Sequence, residues 1–408
     1  MKSSLEDPTW RLRPEALAAP KSGIVEVFDA GRGRQGLIPL WVGEGDASTP
    51  DFICEAITRS LAQGETFYTY QCGLPELRQA IAAYMTRAYG TPYADHEGRF
   101  EPERFFVTIG GMHALQAATR LVAGLGDEVI VPTPAWPNFV GAFTVAGARV
   151  REVPMQVAGT GQTMKWSLDL EAMAAAIGPA TRVIVINSPS NPTGWVASLD
   201  ELQAVLDLAR RHDLWIIADE IYGRLYYDGP RAPSFHDIIH ADDKVMFIQT
   251  MSKNWAMTGL RIGWLEAPAA LGPLVANLIQ YSTSGVPVPI QRAAVTALEE
   301  GDKFLLAQAR RCASNREVLM GALTKGGGVD FAPPQGAFYL YARLNGYADT
   351  RALALRLVEE ANVGVAPGTA FGPGGAAFVR MCFAPKTADV SEAARRLILW
   401  LQQQRRAG

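Results

Sequence analysis

The chain is poor in the residues that mark several classes of function. Its four cysteines, Cys54, Cys72, Cys312 and Cys382, are widely separated and form no C-x-x-C pair. That argues against a disulfide framework or a thiolate metal site and for reduced thiols. Of the five histidines only His236 and His240 stand at ligand spacing, and they read as a solvated stretch rather than a metal site, so no metal is expected. Lys+Arg 38 against Asp+Glu 41 leaves a formal net charge of −3, so no overall field favours nucleic acid or an anionic membrane. No run of roughly 18 apolar residues occurs, as a membrane-spanning helix would need. The opening MKSSLEDPTWRLRPEALAAP mixes charge and proline where a secretion signal needs an apolar core, and it reads as the start of a retained, cytoplasmic protein.

What is present is a βα rhythm. Short β-branched runs at Arg104–Ile109, Asp127–Pro132, Ala148–Pro154, Thr181–Asn187, Leu214–Asp219, Lys244–Thr250 and Leu260–Leu265 predict strands. Runs as continuously apolar as RVIVIN and LWIIAD suit strands covered on both faces. Helices are predicted between them at Met112–Ala123, Leu199–His212 and Leu271–Tyr281, with Ser198 as an N-cap. The fold class is therefore α/β, a mostly parallel sheet between helices. Beyond about residue 295 long amphipathic helices (Ile290–Glu300, Lys303–Leu323, Thr350–Glu360, Ser391–Arg405) surround short strands such as GAFYLYA and AFVRMCFA. Residues 50–295 are expected to form a large domain. Residues 1–49, with one amphipathic segment at Ile24–Ala30, are expected to pack with 296–408 as a smaller α+β domain.

Gly31-Arg32-Gly33-Arg34-Gln35-Gly36 fits G-x-G-x-x-G, and VEVF before it could pass for a strand. A dinucleotide fingerprint must open a helix, however, and LIPLWV follows here, which reads as a strand. The informative residues lie instead just after the strands, where ligands gather in parallel sheets. Gly110-Gly111 precede a helix whose free N–H groups suit an anion. Asn191 stands in the rigid turn SPSNPTG. Asp219 ends LWIIAD, where a carboxylate needs a cationic partner. Lys253, among eight lysines, is the one just past a buried strand, where burial can lower an amine's pKa enough for covalent chemistry. An amine, a buried acid, an Asn, a phosphate cradle and an Arg together meet the needs of pyridoxal 5′-phosphate.

At this point the sequence resembles the class I/II aminotransferases, the aspartate-aminotransferase-like branch of the fold-type-I pyridoxal-phosphate enzymes. The likeness spans nearly the whole chain, through GEGDASTP, YTYQCGLPELR, PAWPN, SPSNPTG, ADEIY, SKNWAMTGLRIG, QGAFY, PGTAFG and FVRMCFA. It implies a large domain built on a seven-stranded sheet. Position by position, it implies that Lys253 forms the internal aldimine and shuttles a proton, that Asp219 pairs with the pyridinium N–H, and that Tyr222 and Asn191 bond the ring hydroxyl. Trp136 is implied to stack on the ring. Gly111, Met112, Thr250, Ser252 and Arg261 are implied to hold the phosphate, with Tyr68 reaching it from a neighbouring subunit of a homodimer. Arg380, with Gly43, is implied to take the substrate carboxylate; on residue type alone its default partner is an internal carboxylate.

Two departures stand out. Met112 occupies a position where the family usually has Ser or Thr, with His113 unexplained beside it. Members specific for dicarboxylates carry an additional cation, and Tyr281–Pro287 holds none; Arg292 falls in the next helix and is read as structural. The expectation is a ping-pong transfer of an α-amino group from an L-amino acid, with uncharged or aromatic side chains, to a 2-oxo acid. A pyridoxal-phosphate lyase (elimination, decarboxylation or ring closure) and a non-catalytic regulator on the same fold are the alternatives at this stage.

Overall fold

The computed structural model describes residues 12–21, 23–95 and 98–407. Most of the opening segment that suggested a retained chain lies outside them. Strands β1 (Ile38–Pro39), β2 (Phe105–Thr108), β3 (Glu128–Thr133), β4 (Arg149–Pro154), β5 (Thr181–Asn187), β6 (Trp215–Asp219), β7 (Val245–Thr250) and β8 (Gly263–Glu266) come first in the chain. All but β1 form one seven-stranded sheet in the order β2-β8-β7-β6-β5-β3-β4. β8 alone runs antiparallel to its neighbours, so the carboxyl ends of the other six share one edge. The apolar runs that predicted these strands are buried as expected: all six residues of β7 are, and four successive residues of β5.

Helices α1 (Val25–Gly31), α2 (Gly110–Val122), α3 (Pro137–Ala146), α4 (Leu199–Arg211) and α5 (Gly272–Gln280) precede α6 (Val288–Glu300), α7 (Asp302–Gly326), α8 (Thr350–Arg356) and α9 (Thr387–Ala407). The segment predicted as one helix over Thr350–Glu360 changes to π-helical winding at Leu357–Ala361. A second sheet, β9 (Val329–Phe331), β10 (Tyr339–Leu344), β12 (Ala366–Pro367) and β13 (Val379–Cys382), has the order β9-β10-β13-β12, and β11 (Val363–Gly364) pairs instead with β1. The G-x-G-x-x-G string follows helix α1 rather than a strand, and only the two-residue β1 follows it. It opens no helix, and the strand expected from LIPLWV is shorter than its apolar run suggests.

One expectation is overturned. His240 is exposed as predicted, but His236 is 2% exposed, stacked on Phe247 with ring centroids 3.8 Å apart. Its Nδ1 lies 3.2 Å from the Pro92 carbonyl and its Nε2 lies 3.3 Å from the buried carboxylate of Glu266. The SFHDIIH string mixes polar and apolar residues, and the short 3-10 turn Phe235–Asp237 carries the imidazole inward. Burial alone lowers an imidazole's pKa, and the Glu266 carboxylate outweighs it, so that of His236 ends raised.

Ser198 is the N-cap the sequence suggested. Its hydroxyl accepts from the Glu201 N–H (3.2 Å) while the Glu201 carboxylate accepts from the Ser198 N–H (3.0 Å), a reciprocal capping box. Acidic residues follow in the first turn and Arg210 and Arg211 close the last, matching the helix dipole. Ser198→Ala is expected to lower unfolding free energy by about 1 kcal/mol. Urea denaturation checks this, and an unshifted midpoint would contradict it.

Candidate active site

The carboxyl-end edge of the large sheet opens onto a cleft of ≈ 460 Å³. Every sequence-predicted site residue except Tyr68 lines it: Gly43, Gly111, Met112, Trp136, Asn191, Asp219, Tyr222, Thr250, Ser252, Lys253, Arg261 and Arg380.

β7 ends at Thr250, whose hydroxyl caps the short helical turn Met251–Asn254 by accepting from the Ser252 N–H (3.2 Å). That turn carries Lys253, whose Nζ donates to the Gly43 carbonyl at 2.7 Å. Burial favours the uncharged amine and pulls its pKa down to about 8. Asp219, the last residue of β6, is 2% exposed, and its carboxylate accepts one hydrogen bond, from the Ile221 N–H at 3.3 Å. Burial pushes its carboxyl up to about 7 against that N–H and the positive charge of Lys253.

An anion cradle forms beside them. Gly111 and Met112 lie in the first turn of α2, whose leading N–H groups have no intrahelical acceptor. Arg261 has φ +54° and donates from Nη1 to the Thr258 carbonyl at 2.8 Å. Gly110 has φ +71°, and a Cβ there would stand 2.6 Å from Arg261 Nη2, so glycine is needed for the guanidinium to lie against this turn. The Thr250 and Ser252 hydroxyls meet at 2.9 Å.

His113 finds its role here. Its Nδ1 accepts the Ile109 N–H at 3.2 Å, which puts the ring proton on Nε2, 2.8 Å from the Ser282 hydroxyl. The imidazole thus ties the start of α2 to the segment after α5, and burial lowers its pKa. Met112 supplies no hydroxyl; its Sδ lies 3.3 Å from Asn138 Nδ2. Arg292 is engaged with Glu65 (2.8 Å) and Glu76 (3.3 Å), as a structural residue should be.

The second sheet delivers Arg380. It is 3% exposed, donates from Nη1 to Asn191 Oδ1 at 2.9 Å and from Nη2 to the Trp41 carbonyl, and its Nε has no partner. Its guanidinium carbon sits 4.5 Å from the Tyr339 ring centre and 5.0 Å from that of Phe371. Among the described residues no carboxylate pairs with it, so the internal carboxylate that residue type alone suggested is not there. The Tyr222 hydroxyl lies 2.8 Å from that of Tyr339, and burial raises its pKa well above the usual phenol value. Trp136 stands perpendicular to Phe139, centroids 5.5 Å apart.

Tyr68 is set apart. It is 95% exposed and borders a separate surface groove with Phe67 and the Thr283–Pro289 segment. Sequence reasoning also passed over several lining residues. Tyr339 lay inside the QGAFY motif and Asn187 at the very end of a predicted strand, so both carried a signal. Ile24, Val25, Phe28 and Trp41 carried none, because they come from the N-terminal segment.

A half-buried amine, a buried acid, an anion cradle and an unneutralised arginine line one cleft, a set of groups that could hold an aldehyde-bearing cofactor and an amino acid. Comparison with known proteins makes the assignment specific. The family model for aminotransferase class I and II matches residues 36–397, and the chain belongs to that family. It is 32% identical to an aspartate aminotransferase of Geobacillus stearothermophilus, over 88% of this chain and 90% of that protein. It is 30% identical to aromatic-amino-acid aminotransferase 2 of Thermococcus litoralis, over 92% and 94% respectively. Among solved structures, the aspartate aminotransferase of Thermus thermophilus, as a single mutant, superposes with a TM-score of 0.85 at 33% identity, covering 95% of this chain and 98% of that one. The protein is a transaminase of fold type I.

Protein freed of bound aldehyde with hydroxylamine should show an unusually reactive Lys253. Because its pKa is lowered to about 8, the neutral amine dominates above that pH. Its labelling by trinitrobenzenesulfonate, followed by peptide mass spectrometry, is expected to rise through a midpoint near pH 8 and to level off above it. Ordinary lysines rise near about pH 10.4; a Lys253 profile that follows theirs would remove the basis for this environment.

Proposed function

We propose that the chain uses pyridoxal 5′-phosphate to move an α-amino group from an L-amino acid to a 2-oxo acid in two ping-pong half-reactions. Three groups shielded from water that lack close counterions carry this reading: the half-buried Lys253 amine, the buried Asp219 carboxyl and the buried Arg380 guanidinium, all lining one cleft. They fit the cofactor and an amino acid in their chemistry. A carboxyl raised to about 7 by burial suits a cationic ring nitrogen, and an orphaned Nε suits a carboxylate. When bound, pyridoxal phosphate supplies an aldehyde that condenses with amines and a ring that draws electrons from the adjacent C–H bond.

The chain's own residues do the rest. Lys253 provides the amine that holds the aldehyde and then takes and returns the proton at the substrate Cα, work suited to a group with a pKa near neutrality. Asp219 would keep the ring nitrogen protonated. Tyr222 and Asn191 would hydrogen-bond the ring hydroxyl, while Trp136 would cover the ring and fix its orientation. The N–H groups of Gly111 and Met112, with Thr250, Ser252 and Arg261, bind the phosphate. Arg380 grips the substrate α-carboxylate with Gly43 beside it, and the Asn191 contact holds the guanidinium in place.

The same reading includes a homodimer in which Tyr68 reaches the neighbouring site, supported by its near-complete exposure beside Phe67. It also includes a division into a large unit, residues 50–295, and a smaller one of 1–49 with 296–408. The pairing of β1 with β11 and the Arg351–Glu26 ion pair join the two parts of the smaller unit. A cytoplasmic location accords with four free cysteines; none of the described helices is long and apolar enough to cross a membrane. The relatives are named as aminotransferases, which favours transfer over elimination or decarboxylation.

Arg380→Lys is expected to raise KM for the amino donor about 10- to 100-fold, as loss of a forked charged hydrogen bond would. Lys253→Ala should slow amination of the bound cofactor by more than about 1000-fold, with partial rescue by added ethylamine. Single-turnover absorbance with a panel of amino acids measures both. Undiminished turnover in Lys253→Ala would end the proposal.

A further inference from the structure

The N-terminal helix supplies a wall that the transfer chemistry does not require. α1 is seven residues long, and its rotation is fixed by its buried side: Val27 is fully buried, and a Cβ on Gly31 would stand 2.3 Å from the Trp41 ring. With Val27 and Gly31 turned to the body of the protein, Val25 and Phe28, three residues apart, face the cleft together with Ile24. They remain 52% and 41% exposed there. The polar residues of the helix are engaged elsewhere: Glu26 pairs with Arg351 at 2.6 Å and Asp29 with Arg32 at 2.9 Å. Phe28 is braced edge-on against Trp41, centroids 6.1 Å apart.

Charge decides what this wall can receive. The basic side chains lining the cleft are Lys253, Arg261 and Arg380, and on the reading above each already has an aldehyde, a phosphate or an α-carboxylate to hold. Arg32, 5.3 Å from the Phe28 ring centre, is exposed and already paired with Asp29. A carboxylate-bearing substrate side chain laid along Ile24, Val25 and Phe28 would lose water and gain no cation. An apolar one would cover surface that the fold leaves bare.

Building on the aminotransferase reading, we propose that the preferred amino donor carries a large apolar, ring-bearing side chain that docks against Ile24, Val25 and Phe28 of the N-terminal helix. This makes Phe28 a specificity-determining residue.

The test compares cofactor amination by L-phenylalanine, L-alanine and L-aspartate in the holoenzyme. It pairs this with calorimetric binding of 3-phenylpropionate and succinate, which have no amine to react. The expected result is that kcat/KM for phenylalanine exceeds that for aspartate by more than about 10-fold. Phe28→Ala should lower the phenylalanine value about 10-fold and the alanine value less than about 3-fold, in the range of lost apolar pocket contacts. It should weaken 3-phenylpropionate and leave succinate unchanged. Val25→Arg, at a half-exposed position, should raise aspartate relative to phenylalanine by installing the missing cation. Faster amination by aspartate than by phenylalanine, or a Phe28→Ala variant that treats the two acids as wild type does, overturns the proposal while leaving amino transfer standing. Should no amino acid aminate the cofactor, the transfer reading falls, and the calorimetry settles the side-chain question alone.

Discussion

Desolvation of two opposite groups at the sheet edge is the constraint on which the site depends. Asp219 is buried and Lys253 half-buried, and neither has a partner close enough to hold it firmly charged. Exposed, the amine would be protonated and the carboxyl ionised at neutral pH, and a protonated amine cannot take a proton. Burial moves them toward each other, to about 8 and about 7, so that small changes in their surroundings decide their charge. A bound cation beneath Asp219 would return it to the carboxylate form, because an opposite charge nearby offsets the cost of burial.

The fold can keep these groups buried because of how the sheet is laid out. Six parallel strands end on one edge, so Asn187, Asp219 and Thr250 arrive there from strands that are neighbours in the sheet though far apart in sequence. The antiparallel β8 brings Gly263 against Thr250, and a Cβ at Gly263 would stand 2.5 Å from the Gln249 carbonyl. The closest approach in the cradle thus relies on an absent side chain, as it does where Gly110 meets Arg261. Arg380 comes from another sheet altogether, close to the Tyr339 and Phe371 rings, and its position relative to Asp219 is a property of how the two sheets pack.

The parts legible in the sequence were those whose physics is local. A run such as RVIVIN declares a two-sided strand, Ser198 and Glu201 declare a helix start, and the residue after each strand declares the sheet edge. Less legible were features set by distant contacts. His236 looked solvated because nothing in its own mixed stretch of sequence marks its ring as buried, and the three-dimensional approach of Phe247 and Glu266 encloses it. His113 looked unexplained because its second partner, Ser282, is 169 positions away. Tyr339 was inside a recognised motif, yet its bond to Tyr222 depends on the second sheet meeting the turn after β6.

The N-terminal helix is such a distant element, lining the cleft from far outside the sheet edge. Its orientation is fixed by Val27 and by the lack of a side chain at Gly31, both remote from any reacting atom. A substitution at Gly31 would have to displace Trp41, whose carbonyl accepts from Arg380 and whose ring braces Phe28. One tryptophan therefore links Arg380, the proposed carboxylate grip, to Phe28 of the proposed wall. On that proposal carboxylate binding and side-chain preference would be coupled through that residue. A change on the hidden face of α1 would disturb both together, whereas a change at Phe28 itself would disturb only the preference.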